Sequence, residues 1–287
     1  MGRVDGWRFQ DWVVSGIHRA KGAQGVAGMG NMFDLSGRVA VVSGTASGMG
    51  EAMAMTFAEN GADLVLLDMN TAGNEETAHA IEKMGRRAIP LTIDVSKYSD
   101  IDRVYETVDK EFGHVDILSN VAGNGKQGAA DEMTMDDVMY VFQNLVLGRF
   151  YNTQQAGRRM LKQGRGSIMS LGSIAGVSSL GRQQAVYGMA MAAVIHMTKE
   201  LSTEWSGRGV RVNAILPAQT VGPKTQAGWD ARMSRSPGLK ETFLHGIPIG
   251  RFGSPDDIKG LALWLASDAS SFMTGQVLVV DGGMTHH

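Results

Sequence analysis

Seven short apolar runs recur from residue 33 onward, separated by glycine-rich turns and segments of helical spacing. The runs cover residues 39–43, 64–67, 88–93, 115–119, 167–171, 210–216 and 277–280. Residues 51–59 and 75–84 have the periodicity of helices. Runs that are apolar on both faces and alternate with helices are typical of parallel strands covered on both sides. The pattern predicts a single α/β domain of the doubly wound (Rossmann) type, with a seven-stranded parallel sheet and ligands at the carboxyl ends of the strands.

Residues 1–31 lack this alternation. Four glycines between residues 22 and 30 interrupt any periodicity, after a short amphipathic stretch. We interpret residues 1–31 as an amino-terminal extension, either flexible or an arm that packs in an oligomer. Residues 32–287 are then the folded domain, with neither a linker nor an internal repeat.

Composition narrows the functional classes. A formal net charge of −2 does not favour nucleic acid or an acidic membrane as a partner. The chain has no cysteine, which excludes disulfides, thiolate metal sites and a cysteine nucleophile. The histidines lack metal-binding spacing, no apolar run is long enough to span a membrane, and the amino terminus has no signal-peptide core. We expect a cytoplasmic protein that binds no metal, nucleic acid or membrane.

The turn after the first apolar run carries a pattern typical of nucleotide-binding sites. It contains Gly44, Ser47, Gly48, Met49 and Gly50 between a predicted strand and a predicted helix. Glycine permits positive φ and lets the backbone approach a pyrophosphate at a helix amino terminus. A tight structural turn is the alternative interpretation.

Asp68 ends the second run, where a carboxylate would accept hydrogen bonds from the adenosine ribose hydroxyls. The same carboxylate would repel a 2′-phosphate, and no lysine or arginine is adjacent to it in the sequence. The pattern therefore favours NAD over NADP, against the alternative of a structural turn aspartate.

Further motifs follow in order: Asp94-Val95 after the third run, Asn120-Val121-Ala122-Gly123 after the fourth, and Val280-Asp281-Gly282-Gly283 near the end. With these, residues 33–284 resemble the short-chain dehydrogenase/reductase family. The resemblance implies that Asp94 and Val95 flank the adenine. It also implies that Asn120, Ala122 and Gly123 stabilise the central sheet beside the cofactor.

The resemblance also implies a catalytic group. Tyr187 matches the general acid/base, Ser173 the residue that polarises the substrate oxygen, and Asn144 the helix asparagine that completes a water-mediated proton path. The interval between Ser173 and Tyr187 is one residue longer than is usual in the family, so we expect an insertion in that loop.

Met191 stands where the family has a lysine, one helical turn after Tyr187. That lysine holds the nicotinamide ribose and promotes ionisation of the tyrosine, and methionine can do neither. A loss of about 10²–10⁴ in rate is expected if nothing replaces it. Three interpretations remain open: an impaired dehydrogenase, a replacement cation such as Lys126 or Arg182, or a site used for binding or non-redox chemistry.

After the sixth run, Pro217 matches the family. The family usually has a threonine that contacts the nicotinamide at the position of Gly222, and here Thr220, two residues earlier, takes its place. By resemblance, residues 222–250 form a lid over the substrate, and the chain assembles as a homotetramer or homodimer.

We expect an NAD-dependent oxidoreductase that interconverts a secondary alcohol, polyol or sugar and its carbonyl form, impaired by Met191. The alternatives are an NAD(H)-binding protein with little turnover and a non-redox lyase or dehalogenase.

Overall fold

The structure is a computed structural model that describes residues 31–234 and 238–286. The predicted extension, residues 1–31, lies outside the described residues except for Asn31.

A seven-stranded parallel sheet forms the centre of the fold, in the order β3-β2-β1-β4-β5-β6-β7. Its strands are β1 Val39–Ser43, β2 Asp63–Asp68, β3 Ala88–Thr92, β4 Ile117–Asn120, β5 Gly166–Leu171, β6 Val210–Pro217 and β7 Val277–Val280. The strand order reverses between β1 and β4. Ligands bind at such a switch point in doubly wound folds, so the candidate site lies at the carboxyl ends of these strands.

Helices connect the strands. They are α1 Gly48–Glu59, α2 Thr71–Lys83, α3 Tyr98–Glu111, α4 Met135–Phe142, α5 Gly148–Gln163, α6 Ala185–Trp205, α7 Pro223–Ser234, α8 Leu239–His245 and α9 Lys259–Ala266. A π-helix, Gln143–Leu147, joins α4 to α5 without a break.

Successive residues of the central strands face opposite sides of the sheet and feed two separate apolar cores. Ala40 and Val42 of β1 belong to the core that packs under α1, α2 and α9, whereas Val41 belongs to the core under α3, α5 and α6. A strand that is buried on both faces is mostly apolar, which explains the apolar runs in the sequence.

The predicted fold class is confirmed, and the strand bounds agree with the predictions to within two residues. The first two helices begin earlier than predicted. The side chain of Asn70 accepts a hydrogen bond from the backbone N–H of Gly73, so α2 starts at Thr71 rather than at residue 75. In α1 the helical backbone begins at Gly48, before the apolar periodicity starts.

Candidate active site

The turn between β1 and α1 requires glycine for steric reasons. Gly44 and Gly48 have φ of +77° and +65°. A Cβ on Gly44 would lie 3.2 Å from the amide nitrogen of Ala122, and a Cβ on Gly50 would lie 2.1 Å from the carbonyl oxygen of Gly44. The glycines thus bring the start of α1 against the end of β1.

The other two predicted residues of this turn leave the start of α1 exposed to a ligand. The side chain of Ser47, which precedes α1, makes no capping hydrogen bond. Met49 is half-buried and packs against the core under α1. The amide groups in the first turn of a helix favour an anion, so this turn is suited to a phosphate group.

Asp68 joins the end of β2 to the glycine turn. Its carboxylate accepts hydrogen bonds from the backbone N–H of Ala46 at 3.0 Å and of Asn70 at 2.8 Å. Lys224 of α7 also reaches the turn, with its ammonium 3.3 Å from the carbonyl oxygen of Ala46 and 2.9 Å from Glu51. A basic residue therefore contacts the same turn residue, Ala46, as Asp68 does, although none is adjacent to Asp68 in the sequence.

Asp94 and Val95 hold the loop after β3. The carboxylate of Asp94 accepts hydrogen bonds from the backbone N–H and the hydroxyl of Ser96 at 2.9 and 2.7 Å. Val95 is buried, and its carbonyl oxygen would lie 2.1 Å from a Cβ on Gly148, the first residue of α5. This loop thus sets how closely α5 approaches the sheet.

The segment after β4 is tied to its neighbours by polar contacts. The amide of Asn120 donates to the hydroxyl of Thr153 at 2.8 Å, which links β4 to α5. The backbone N–H of Ala122 donates to the hydroxyl of Ser43 at 3.1 Å. Gly123 has φ of +144°, and a Cβ there would lie 3.0 Å from the carbonyl oxygen of Asn144. These contacts fit the sheet-stabilising role that the resemblance implies.

Ser173 and Tyr187 line the same cavity, which has a volume of about 310 Å³. Ser173 follows β5, and its hydroxyl accepts a hydrogen bond from the backbone N–H of Ala175 at 3.2 Å. Tyr187 lies in the first turn of α6. The loop between them contains Gln183 with φ of 54°, a strained conformation for a residue other than glycine.

Asn144 lies inside the π-helix and is buried. Its side-chain amide donates to the carbonyl oxygen of Tyr140 at 2.9 Å, while its own carbonyl oxygen faces Gly123. The backbone of Asn144 therefore approaches the segment that follows β4.

Met191 is only 1% exposed, one helical turn after Tyr187. It belongs to an apolar cluster between the α4–α5 segment and α6, together with Leu145, Val186 and Val194. A charged side chain at this position would have to leave or disrupt that cluster.

Pro217 ends β6, and Thr220 follows it in a loop. The hydroxyl of Thr220 donates to the carbonyl oxygen of Ala218 at 3.2 Å, and its backbone forms a bridge with Gly253. Both residues lie at the carboxyl edge of the sheet, on the same edge as Ser173.

Comparison with known proteins agrees with this geometry. A family model described as enoyl-(acyl carrier protein) reductase matches residues 44–285. D-threitol dehydrogenase of Mycolicibacterium smegmatis is 36% identical over 253 residues, which cover 88% of this chain and 95% of the relative.

Two solved structures have closely similar folds. A short-chain type dehydrogenase/reductase from Mycobacterium marinum is 31% identical with a TM-score of 0.81, and the match covers 89% of this chain and 98% of that one. The chain belongs to the short-chain dehydrogenase/reductase family. A gluconate 5-dehydrogenase from Burkholderia cenocepacia, in complex with NADP and tartrate, is 28% identical with a TM-score of 0.81, over 89% of this chain and 98% of that one.

Short-chain dehydrogenases/reductases are oxidoreductases that use a nicotinamide cofactor, and this chain has a cradle that fits one. The cradle is the glycine turn before the uncapped start of α1, where a Cβ on Gly48 would meet no protein atom within 4 Å. Asp68 lies at its edge, at the end of β2.

Arg149 is the charged residue of this site that the sequence analysis missed. It lies in the first turn of α5 and is 5% exposed. Its guanidinium donates to the carbonyl oxygens of Val121 at 3.1 Å and Ala122 at 3.2 Å, after β4, and to that of Leu171 at the end of β5. An arginine between two apolar stretches, residues 145–147 and 150–151, was the signal that could have identified it.

The two cations that the sequence suggested as replacements make other contacts. Lys126 forms an ion pair with Asp137 of α4, and its side chain is half-exposed. Arg182 packs its guanidinium carbon 3.8 Å from the centre of the Phe243 ring. Neither contact places a cation within the apolar cluster around Met191.

Within residues 31–234 and 238–286, no three histidine or acidic side chains are grouped as metal ligands. None of the helices described is both long and apolar enough to cross a membrane.

Proposed function

We propose that the chain is an NAD-dependent dehydrogenase that interconverts a secondary alcohol of a polyol or sugar and its carbonyl form. The supporting observation is that Ser173 and Tyr187 line one cavity at the carboxyl edge of the sheet. The cavity and the glycine turn lie at the same edge of the sheet, where the parallel strands β1, β4, β5 and β6 all end.

The chemistry follows from the two hydroxyl groups. Bound NAD⁺ supplies a hydride acceptor at this site. The hydroxyl of Ser173 donates a hydrogen bond to the alcohol oxygen and positions it. Tyr187, in its ionised form, accepts the hydroxyl proton as the alcohol carbon loses a hydride. The products are a carbonyl compound, NADH and one proton, which passes from Tyr187 to water.

Three glutamines support a substrate with several hydroxyl groups. Gln127, Gln184 and Gln219 line the cavity with Ser173 and Tyr187. A primary amide both donates and accepts hydrogen bonds, as a hydroxyl group does. The amide oxygen of Gln184 is buried and has no hydrogen-bond partner among the described residues, and we propose that it turns towards the cavity to accept a hydrogen bond from a substrate hydroxyl.

Asp68 supports the preference for NAD, because its carboxylate at the end of β2 would repel a 2′-phosphate. Lys224 approaches the same turn, but its ammonium forms ion pairs with Glu51 and Glu76. These two carboxylates reduce the attraction that Lys224 could offer to a phosphate.

We also propose that residues 1–31 are an extension to a domain spanning residues 32–287, that residues 222–250 form the substrate lid, and that the protein is cytoplasmic. An assembly as a homodimer or homotetramer is supported by exposed apolar side chains on the α4–α5 segment. They belong to Met135, Met139, Tyr140, Leu147 and Phe150.

A second candidate is an NAD(H)-binding protein with little turnover, which the burial of Met191 in place of a lysine favours. One experiment separates the candidates: initial rates of NAD⁺ and NADP⁺ reduction with three- to six-carbon alditols and aldoses, alongside NADH binding by fluorescence. We expect reduction of NAD⁺ with at least one polyol. NADH binding without turnover would support the second candidate, and failure to bind any nicotinamide would favour a lyase or dehalogenase.

A further inference from the structure

The substitution at Met191 leaves the reaction without a cation on α6. Met191 is 1% exposed within an apolar cluster, so the side chain itself cannot provide charge or hydrogen bonds to Tyr187. A positive charge that stabilises the ionised tyrosine must then come from a different element.

Arg149 has the burial expected of such a group. Its guanidinium donates three hydrogen bonds, and all three acceptors are backbone carbonyl oxygens. Neutral carbonyls satisfy its N–H groups but leave its charge uncompensated. Burying an unpaired charge costs free energy, so such residues concentrate where an opposite charge forms during function.

Arg149 and Tyr187 flank the same short backbone segment. A Cβ on Gly123 would lie 3.6 Å from Nη2 of Arg149, and a Cβ on Gly125 would lie 3.0 Å from Cδ2 of Tyr187. Leu145 of the π-helix contacts both glycines. The guanidinium thus approaches the same backbone segment as the tyrosine ring, two residues before the glycine that the ring contacts.

The two side chains also interact electrostatically. Burial lowers the pKa of Arg149 to about 10, whereas the negative charge of ionised Tyr187 raises it. Arg149 consequently remains protonated near neutral pH.

The π-helix directs Arg149 towards the sheet. It ends at Leu147, two residues before Arg149, and Gln143 within it donates to the carbonyl oxygen of Ser96 at 2.7 Å. One additional residue in a helical turn rotates everything that follows by about 100° around the helix axis. The π-helix thus determines which residues of α5 face the carboxyl ends of β4 and β5.

The geometry points to Arg149 as the cation that replaces the missing lysine: from α5 it supplies the positive charge that stabilises ionised Tyr187. Arg149 acts through Tyr187 and is a positioning residue. This inference rests on the proposed dehydrogenase function. Two further cations among the described residues lie close to cavity-lining residues in the sequence: Lys126 forms an ion pair with Asp137, and Arg182 packs on Phe243.

The test compares Arg149→Gln, which retains hydrogen-bond donors but no charge, with Arg149→Lys, which retains the charge. In alcohol oxidation we expect Arg149→Gln to lower kcat by ~10²-fold near neutral pH and Arg149→Lys to lower it by less than about tenfold. The deficit of Arg149→Gln should shrink as the pH approaches ~10, where a tyrosine ionises without assistance. A merely structural role would not give this pH dependence. NADH binding and melting temperature establish that each variant is folded.

A folded Arg149→Gln variant with an unchanged rate and pH profile would overturn the inference. If Arg149→Gln does not fold, Met191→Lys in the otherwise unmodified chain tests the inference instead. We expect Met191→Lys to give no gain in kcat, and a gain above about tenfold would overturn the role of Arg149. Turnover found only with Met191→Lys leaves the proposed function standing and overturns this inference. No turnover by any of these proteins, with NADH still bound, overturns the proposed function as well.

Discussion

Two halves of the carboxyl edge of the sheet can be compared: the nucleotide-binding half, at β1 to β3, and the catalytic half, at β4 to β6. They differ in whether the backbone or a charged side chain provides the groups that each needs. In the nucleotide-binding half the backbone provides them: Gly44 has positive φ, and Gly50 lies against the carbonyl of Gly44. In the second half a side-chain charge is required, and Arg149 on α5 is charged where Met191 on α6 is not.

This difference shows which functions a motif can locate. A positive φ or a close backbone contact is needed at one particular position, so the glycine that allows it must stand at that position in the sequence. A charge acts across several ångströms, so any element that reaches the site can supply it. The absence of a motif residue therefore identifies a missing side chain but not a missing function.

Tyr187→Phe should have the largest effect, on the catalytic half alone. Removing the hydroxyl eliminates proton transfer, and we expect kcat to fall by ~10²–10⁴-fold while NADH binding is retained. Tyr98→Phe, on the exposed face of α3, is the matched control and should keep its rate. If the Tyr187→Phe variant keeps its rate, the general acid/base is another residue.

Gly50→Ala tests the backbone half through stability. A Cβ there would lie 2.1 Å from the carbonyl oxygen of Gly44, so we expect a loss of about 1–3 kcal/mol or more in the free energy of unfolding. Gly260→Ala in α9 is the control, because a Cβ there meets no atom within 4 Å. That change should stabilise the helix by up to ~1 kcal/mol. Equal effects in denaturant unfolding would show that the close approach is not what requires glycine.

Asp68→Asn tests whether a charge also contributes to cofactor selection in the nucleotide-binding half. Losing the carboxylate removes its repulsion of a 2′-phosphate, and we expect the ratio of kcat/KM for NADP⁺ over NAD⁺ to rise by roughly tenfold, equivalent to about one pKa unit of interaction energy. Asp94→Asn, in the loop after β3, is the control. Its carboxylate bonds to Ser96, so that variant should leave the ratio unchanged. A ratio that is equally insensitive to both changes would mean that Asp68 does not select the cofactor.

Gln184→Met should have a smaller effect, confined to the substrate. The change keeps the side-chain length but removes the buried amide oxygen that a substrate hydroxyl would satisfy. We expect KM for the polyol to rise by about three- to tenfold, in keeping with the loss of one hydrogen bond, with the KM for NAD⁺ unchanged. Gln276→Met, next to the amino end of β7, is the control. An unchanged KM for the polyol would exclude Gln184 from substrate binding.

The fold could be predicted from the sequence because each strand coincides with a short apolar run. β1 and β7 have the predicted bounds, since their apolar runs coincide with the residues that pair in the sheet. Val115 was predicted to lie in a strand and is fully buried, but the ladder of β4 begins only at Ile117. Burial was thus predictable, whereas pairing depends on the neighbouring strand.

The candidate site was only partly predictable. Ser173 and Tyr187 lie far enough apart in the sequence that only the family spacing links them, and the structure places both in one cavity. Arg149 was not predictable from periodicity, because an arginine on a helix is usually exposed. The direction in which its side chain points depends on the π-helix before it, and the local sequence did not indicate that π-helix.

The most direct single measurement is kcat of the double variant Arg149→Gln/Met191→Lys beside that of Arg149→Gln. The double variant returns a cation to α6 after removing the one on α5. If the reaction needs a cation near Tyr187 from either helix, the double variant should recover at least about tenfold in kcat over Arg149→Gln. A double variant that is folded, binds NADH and remains as slow as Arg149→Gln would contradict the relocation of the charge to Arg149.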